Sequence, residues 1–218
     1  MSPDPPVNRP GLFIALEGPE GAGKSSQVVR LAQRLRDEGV DPLVTREPGG
    51  SPAGDRVRAV LLDPSLRLEP LSELLLYAAA RAQHVAELIA PALGAGRLVL
   101  TDRFSAATVA YQGYGRRLDL DFVKALNERV TLGHRPDLTV LLDLQPHLGL
   151  ERVAARGATD RLERAALDFH QRVRDGFLAQ SRDDPGGWAV IGADDDPDAV
   201  AHAVWAAVAP RLREWAGR

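Results

Sequence analysis

One glycine-rich segment of the chain has the residue types and the spacing that bind phosphate groups. It reads Gly18-Pro19-Glu20-Gly21-Ala22-Gly23-Lys24-Ser25 and matches the pattern G-x-x-x-x-G-K-[ST]. Glycines let the backbone of such a loop curl so that several N–H groups point at phosphate oxygens. In this pattern the lysine contacts the β- and γ-phosphates of a nucleoside triphosphate, and the hydroxyl after it ligates Mg²⁺. We therefore expect Lys24 to act in catalysis and Ser25 to bind the metal.

A carboxylate at the end of a predicted strand is the second candidate. Asp102 follows the apolar run from Leu98 to Leu100. If this strand is a neighbour of the strand before Gly18, Asp102 lies beside the glycine-rich loop and can hold Mg²⁺ through a water molecule. The alternative is that Asp102 caps the helix predicted after it.

The elements that must position these residues alternate along the chain. Apolar runs predict strands at residues 12–16, 42–45, 98–101, 138–144 and 188–191. Helical spacing predicts helices at about 24–38, 51–62, 71–93, 105–112, 119–132, 146–155, the stretch ending near 181, and 197–215. This order predicts an α/β protein with the P-loop NTPase fold, whose five-stranded parallel sheet carries helices on both faces.

Length and composition restrict the classes of protein further. The chain has 218 residues, a net charge of −3 and no cysteine, which excludes disulfides and argues against nucleic-acid binding. No apolar run approaches 18 residues, so we expect no membrane association and a cytoplasmic protein. We predict a loose tail at residues 1–10 and a single domain at 11–218, with a short mobile lid at about 151–164.

Several further segments resemble thymidylate kinases in sequence and spacing. They are Thr45-Arg46-Glu47-Pro48-Gly49-Gly50, Tyr77 to Gln83, Asp102-Arg103-Phe104, Tyr111-Gln112-Gly113 and Glu151 to Glu163. The resemblance covers nearly all of residues 11–215. It implies an enzyme that transfers the γ-phosphate of ATP to dTMP with the help of Mg²⁺, and it implies a homodimer.

The resemblance also assigns roles around the acceptor nucleotide. Arg103 matches the arginine that binds the acceptor phosphate, a role that suits its planar fork of donors. Glu20 resembles the acidic residue that contacts the 3′-hydroxyl, and Tyr111 resembles the tyrosine that crowds the 2′ position and rejects ribose. A structural role for Tyr111 stays open.

For the base, the resemblance implies stacking on Tyr77 and recognition by Arg81, which lies one helical turn further on the same face. Thr108 matches the residue whose polar side chain meets thymine N3. The family usually has Phe at the position of Tyr77 and often a second aromatic residue where this chain has Ala78. Purely structural roles for Tyr77 and Thr108 stay open. The full predicted dTMP-binding set is Glu20, Arg46, Pro48, Tyr77, Arg81, Arg103, Thr108, Tyr111 and Gln112.

The positive charge needed at the transferred phosphate is predicted to come from the lid. The glycine-rich loop carries no arginine, whereas the lid carries Arg152, Arg156 and Arg161. By resemblance Arg156 is the catalytic arginine, and Arg152 and Arg161 assist at the ATP phosphates. Gly157 is a candidate hinge. The alternative is a solvated basic helix face.

Taken together, the predicted catalytic residues are Lys24, Asp102, Arg103 and Arg156. The predicted ATP-binding residues are Gly18 to Ser25, Arg152 and Arg161. Two other functions stay open, a kinase for a different nucleoside monophosphate and a nucleotide-dependent switch without turnover. Arg81, Thr108 and Tyr111 favour thymine on deoxyribose, and the chain has no Asn-Lys-x-Asp guanine motif.

Overall fold

The computed structural model describes residues 10–157 and 160–217. The tail predicted at residues 1–10 therefore lies outside the described residues except for Pro10. Five parallel strands form one sheet in the order β2-β3-β1-β4-β5. Their bounds are β1 Leu12–Glu17, β2 Leu43–Arg46, β3 Leu98–Asp102, β4 Leu138–Asp143 and β5 Trp188–Gly192. The prediction of a five-stranded parallel sheet is confirmed.

The central strand β1 shows why these apolar runs become strands of a covered sheet. All six of its residues are buried. Because successive side chains point to opposite faces, Leu12, Ile14 and Leu16 pack in the core on one face, while Phe13 and Ala15 pack in the core on the other. Both faces of the sheet must therefore be covered by helices.

The helices that cover the sheet begin and end close to the predicted positions. They are α1 Lys24–Asp37, α2 Pro52–Leu62, α3 Pro70–His84, α4 Ala90–Gly94, α5 Ser105–Thr108, α6 Leu120–Val130, α7 Pro146–Ala154, α8 Leu167–Asp183 and α9 Pro197–Ala216. None of the helices within the described ranges has the length and apolar character of a membrane span.

Two predicted α-helices contain wider, π-helical turns instead of running uninterrupted. The segment predicted at 71–93 is π-helical at Val85–Ile89, just before Pro91, which has no backbone N–H to continue the α-helical ladder. The segment predicted at 105–112 is π-helical at Val109–Gly115, where the N–H of Arg116 bonds to the carbonyl of Tyr111, five residues back. Such turns occur often at functional sites.

The register of the sheet places the candidate residues at one edge. In the β1–β3 pair, Leu16 lies opposite Asp102, and in the β2–β3 pair, Arg46 lies opposite Asp102. The carboxyl ends of these three strands therefore meet, and the segments that follow each strand converge there. This edge is where ligands bind in open α/β sheets.

Candidate active site

The glycine-rich loop joins β1 to α1 in a conformation that needs glycine. Gly21 and Gly23 have φ angles of 70° and 82°, in the left-handed region that other residues rarely adopt. The Lys24 ammonium donates to the carbonyls of Gly18 at 3.0 Å and Pro19 at 2.7 Å. Burial, reinforced by the charge of Arg103, lowers the pKa of Lys24 to about 8. The ammonium thus stays charged at neutral pH inside the loop that we expect to hold phosphates.

The loop also packs tightly against the backbone of α7. A Cβ atom placed on Gly21 would lie 2.2 Å from the carbonyl oxygen of Gly149, and one placed on Gly149 would lie 2.2 Å from the carbonyl oxygen of Glu20. Neither position has room for a side chain unless the backbone moves. The phosphate loop and α7 are therefore in direct backbone contact.

The two predicted metal-binding residues lie together. The Ser25 hydroxyl donates to Asp102 Oδ2 at 2.5 Å, as the neighbouring strands β1 and β3 require. No group of three or more His, Cys, Asp or Glu side chains suited to a metal occurs in the part of the chain that the structure describes. A hydroxyl and one carboxylate fit Mg²⁺, which usually keeps several waters and takes its other ligands from substrate phosphates.

Arg103 stands between the phosphate loop and the rest of the site. Its φ angle of 69° is unusual for a residue other than glycine, and its guanidinium donates to the Gly18 carbonyl at 3.1 Å and to Glu20 Oε1 at 3.0 Å. The Tyr111 hydroxyl donates to the same Glu20 oxygen at 2.6 Å. Burial opposes the charge on Glu20, but Arg103 and Lys24 outweigh it and lower the pKa of Glu20 to about 2. Glu20 is therefore a carboxylate at neutral pH.

Arg81 lies at the far end of the site and is almost completely buried. Its Nε donates to Glu47 Oε2 at 2.7 Å and its Nη1 donates to Thr108 Oγ1 at 2.8 Å. Nη1 also donates to Asn127 Oδ1 at 2.8 Å, and Nη2 donates to the Phe104 carbonyl at 3.0 Å. These bonds use four of the five N–H donors of an arginine. One donor on Nη2 is left for a ligand.

A single cavity of about 960 Å³ joins these parts. Its lining includes Lys24 and Ser25 of the glycine-rich loop, Tyr77 and Arg81 of α3, and Arg103, which contacts the loop at Gly18 and Glu20. Further lining residues are Glu20, Arg46, Pro48, Arg58, Asp102, Thr108, Tyr111, Gln112, Arg152 and Arg156. The cavity therefore connects a phosphate loop to a pocket with an aromatic ring and a free arginine donor.

The three lid arginines make different contacts. Arg152 Nη1 donates to the carbonyl of Ala193 at 2.8 Å. The side chain of Arg156 is 65% exposed, lines the cavity and lies 3.6 Å from a Glu163 oxygen. Residues 158 and 159 of the predicted lid lie outside the described residues.

Arg161 makes contacts that the sequence did not predict. We expected it to assist at the ATP phosphates, but its Nη1 donates to the buried Glu73 carboxylate at 2.5 Å and its Nε donates to the Leu61 carbonyl at 3.1 Å. Its Nη1 and Nε thus contact α3 and the end of α2, whereas its Nη2 is buried without a hydrogen-bond partner among the described residues, and Arg161 does not line the cavity. Arg161 therefore attaches the lid to the acceptor side of the molecule.

Comparison with known sequences assigns the chain to a family. The family model described as thymidylate kinase matches residues 16–204. The chain belongs to the thymidylate kinase family. A thymidylate kinase of Deinococcus radiodurans is 53% identical over 201 residues, which cover 92% of this chain and 98% of that protein. One from Thermosynechococcus vestitus is 49% identical over 216 residues, covering 94% of this chain and 90% of the relative.

A solved structure supports the same assignment. The crystal structure of thymidylate kinase from Ehrlichia chaffeensis superposes with a TM-score of 0.75 at 33% identity, and the match covers 92% of this chain and 99% of that one. Membership of the thymidylate kinase family makes this chain a phosphotransferase. The fold and the class of enzyme expected from the sequence are both confirmed.

One residue of the cavity wall and one buried residue beside the glycine-rich loop of this thymidylate kinase family member were not predicted from the sequence. Arg58 lines the cavity beside Arg46, and its Nη1 donates to the Pro48 carbonyl at 2.9 Å. In the sequence Arg58 is only one arginine on an amphipathic helix, and this pattern does not distinguish it from a surface arginine. Glu17 is the last residue of β1 and is fully buried. Its sequence signal is a carboxylate at the end of an apolar strand.

Glu17 supports the turn that presents Arg103. Its Oε1 accepts from the N–H groups of Phe104 at 2.8 Å and Ala107 at 3.2 Å, while its buried Oε2 has no partner. Burial outweighs the opposing charge of Arg103 and raises the pKa of Glu17 from 4.5 to about 7. The folded protein therefore holds this proton more tightly than the unfolded chain does.

We expect Glu17 to make the folded protein less stable as the pH rises from about 4.5 to 7. The unfolded chain releases its proton first, so the free energy of unfolding falls by up to about 3 kcal/mol across this window. Glu17→Gln keeps an acceptor oxygen and lacks the titration. Urea unfolding at pH 5, 6, 7 and 8 should give a flatter pH dependence for this variant than for the wild type. Parallel curves would contradict the prediction, and Glu69→Gln at an exposed position is the control.

Proposed function

We propose that this protein transfers the γ-phosphate of ATP to dTMP, giving ADP and dTDP. The observation that carries the proposal is the continuous cavity, whose wall includes both the phosphate loop and the pair Tyr77 and Arg81. Arg103 lines the same cavity, where two phosphate groups would meet. A nucleotide-dependent switch would not need this second pocket.

On the donor side, Gly18 to Ser25 bind the phosphates of ATP. Lys24 leaves the loop carbonyls that it contacts in the free protein and neutralises the β- and γ-phosphates. Ser25 would ligate Mg²⁺, and Asp102 would hold the ion through a water molecule. The metal, when bound, neutralises charge on the phosphate oxygens.

On the acceptor side, arginines hold the phosphate of dTMP. Arg103 binds it, and Arg46 with Pro48 supplies the loop beside it. Arg58 adds a third cation, supported by its place in the cavity wall. Glu20 accepts a hydrogen bond from the 3′-hydroxyl. Its ionised state, held by Arg103, suits this role.

The base lies against Tyr77 and meets the remaining donor of Arg81 at its O4 atom. Thr108 Oγ1 accepts from Arg81 in the free protein, and its own hydroxyl hydrogen stays available. Gln112 Nε2 donates to Glu73 Oε1 at 2.8 Å, which orients this amide at the base end of the cavity. The pattern of fixed polar groups around a stacking ring suits thymine.

The chemical step needs alignment and charge neutralisation more than proton transfer. The attacking oxygen of the acceptor phosphate is already ionised at neutral pH, so no strong base is needed. Arg103 and Lys24 hold two anions close together, and Arg156 meets the charge that develops on the transferred group. Closure of the lid around Gly157 would deliver Arg156.

A coupled ADP-release assay against a panel of nucleoside monophosphates tests the proposal. We expect the highest kcat/KM with dTMP, lower values with dUMP and ribo-TMP, and negligible values with CMP and AMP. Preference for a base other than thymine would assign the chain another acceptor. ATP binding without release of ADP for any acceptor would favour the switch.

Tyr111 provides a test of sugar selection. We expect Tyr111→Ala to reduce the preference for dTMP over ribo-TMP by about tenfold, because the buried ring no longer crowds the 2′ position, whereas Tyr111→Phe keeps most of it. The measurement is kcat/KM for both acceptors. An unchanged ratio in the alanine variant would count decisively against this role.

The remaining expectations from the sequence stay proposals. The homodimer is supported by exposed Leu71 and Leu75 on α3 and exposed Phe122 on α6, two helices that pack together. A purified protein that sediments at the mass of one chain would contradict it. A single domain at 11–218, the absence of nucleic-acid and membrane partners, and a cytoplasmic location likewise remain predictions.

A further inference from the structure

A chain of buried polar side chains stands behind Arg81. Glu47, in the loop after β2, accepts from Arg81 Nε at 2.7 Å through Oε2 and contacts His84 Nδ1 at 3.0 Å through Oε1. On the other side of the imidazole, His84 Nε2 lies 2.7 Å from Thr45 Oγ1. His84 is fully buried, and Glu47 is 6% exposed. Thr45, His84, Glu47 and Arg81 therefore form one hydrogen-bonded series, which we call the Arg81 support.

Chemistry fixes the direction of the bonds in the Arg81 support. The carboxylate of Glu47 can only accept, so His84 Nδ1 donates to it. In the neutral imidazole the other nitrogen then accepts from the Thr45 hydroxyl. Each oxygen of Glu47 thus has a separate task, one toward Arg81 and one toward His84. Loss of His84 would leave Oε1 buried without this partner and free Glu47 to rotate.

The imidazole also supports the loop beside the acceptor phosphate. A Cβ atom placed on Gly50 would lie 2.6 Å from His84 Nε2 and 2.7 Å from Thr45 Oγ1. The backbone of Gly50 therefore lies directly on the Arg81 support. The same loop carries Pro48 and follows Arg46, the last residue of β2, and both residues line the cavity. One buried ring thus contacts both Glu47, the partner of Arg81, and the backbone of the loop that carries Pro48.

We infer that His84 is a positioning residue for recognition of the acceptor nucleotide. It orients Glu47, which fixes the plane of the Arg81 guanidinium. It also contacts the backbone of Gly50 and so fixes the position of the loop after β2 relative to Arg81. His84 touches neither substrate. The inference deepens the proposed function and rests on it, because it requires that Arg81 contacts the acceptor base.

Two substitutions separate the two nitrogens of the ring. The amide nitrogen of His84→Asn takes the place of Nδ1, keeping the bond to Glu47 and losing the one to Thr45. The amide of His84→Gln reaches the place of Nε2, keeping the contact to Thr45 and leaving Glu47 Oε1 without its donor. The inference predicts that the second variant is affected far more than the first.

We expect His84→Gln to raise the KM for dTMP about tenfold or more, as loss of a buried hydrogen-bond partner implies, and to reduce the preference for dTMP over dCMP. The KM for ATP and kcat should stay within about threefold. His84→Asn, which loses only the bond to Thr45, should raise the KM for dTMP about threefold and leave the other three quantities near their wild-type values. A general loss of packing would not produce this split between dTMP and ATP. His202→Gln, at an exposed position on α9, is the control.

Other results would overturn the inference. They are equal effects of His84→Asn and His84→Gln, or a fall in kcat with unchanged KM for dTMP. If a His84 variant fails to fold, Thr45→Val decides. It removes one hydroxyl and should raise the KM for dTMP by about threefold with ATP unaffected, and no change would reject the inference. Arg81→Gln tests the premise. An unchanged KM for dTMP in Arg81→Gln would reject the proposed base contact itself. A large rise of this KM in Arg81→Gln, together with an unchanged KM in the His84 variants, would reject only the role of His84.

Discussion

Arg156→Ala is expected to lower kcat by about 10³-fold or more while the KM for ATP changes only a few-fold. An arginine that meets the charge developing on a transferred phosphoryl group contributes on this scale. Such a contact is made mainly in the transition state, so its loss is read in kcat and not in ground-state binding.

The contacts of the three lid arginines support this choice. Arg152 is bonded to the Ala193 carbonyl and Arg161 to Glu73. Arg156 lines the cavity with a mostly exposed side chain and only a 3.6 Å approach to Glu163. Of these three guanidinium groups, that of Arg156 can reach a bound nucleotide with the least loss of existing contacts.

Steady-state kinetics of three alanine variants, at Arg152, Arg156 and Arg161, provides the measurement. We expect smaller losses at the other two positions, and at Arg161 a loss that follows from detachment of the lid. Arg156→Lys tests whether the fork of donors matters beyond the charge. A raised KM for ATP with unchanged kcat in Arg156→Ala would make this arginine a binding residue and refute the catalytic role.

Lys24→Ala is expected to abolish phosphoryl transfer, with a loss of at least about 10³-fold in kcat, while the protein stays folded. The variant lacks the charge that neutralises the β- and γ-phosphates. Burial lowers the pKa of this ammonium to about 8, so the folded protein bears a cost for keeping it charged at neutral pH. Removing it should not unfold the chain.

The chain offers a matched control, because its only other lysine, Lys124, is exposed on α6. Lys124→Ala should keep wild-type kcat and wild-type thermal unfolding. Lys24→Ala should share that unfolding temperature within a few degrees and differ only in turnover. Near-normal turnover by Lys24→Ala would contradict the proposal that this loop binds the phosphates of ATP.

The features that the sequence predicted well are those encoded by neighbouring residues. Apolar runs such as Leu12 to Leu16 identified all five strands, and the loop from Gly18 to Ser25 carries its pattern in eight consecutive positions. The closeness of Ser25 and Asp102 followed from one assumption about neighbouring strands, which the sheet order confirms. Local pattern was sufficient in each case.

The features that the sequence did not predict depend on partners far away in the chain. Arg161 pairs with Glu73 across 88 positions, and Glu17 accepts from Phe104 across 87. Hydrophobic periodicity contains no information on such pairs, so the contact of Arg161 with Glu73 could not be predicted from the sequence. The π-helical turn at Val109–Gly115 was missed because its apolar spacing differs little from that of an α-helix over one turn.

The close approach of Gly21 and Gly149 restricts where a cation at the transferred phosphate can originate. Any side chain at residue 21 must first displace the carbonyl of Gly149. Gly149 belongs to α7, the helix whose end leads into the lid with Arg152 and Arg156. An arginine at residue 21 would therefore shift α7, which carries Arg152 and leads to Arg156, the proposed catalytic arginine. In this chain an arginine at residue 21 is therefore incompatible with the present packing of α7, and introducing one requires coordinated change at both glycines.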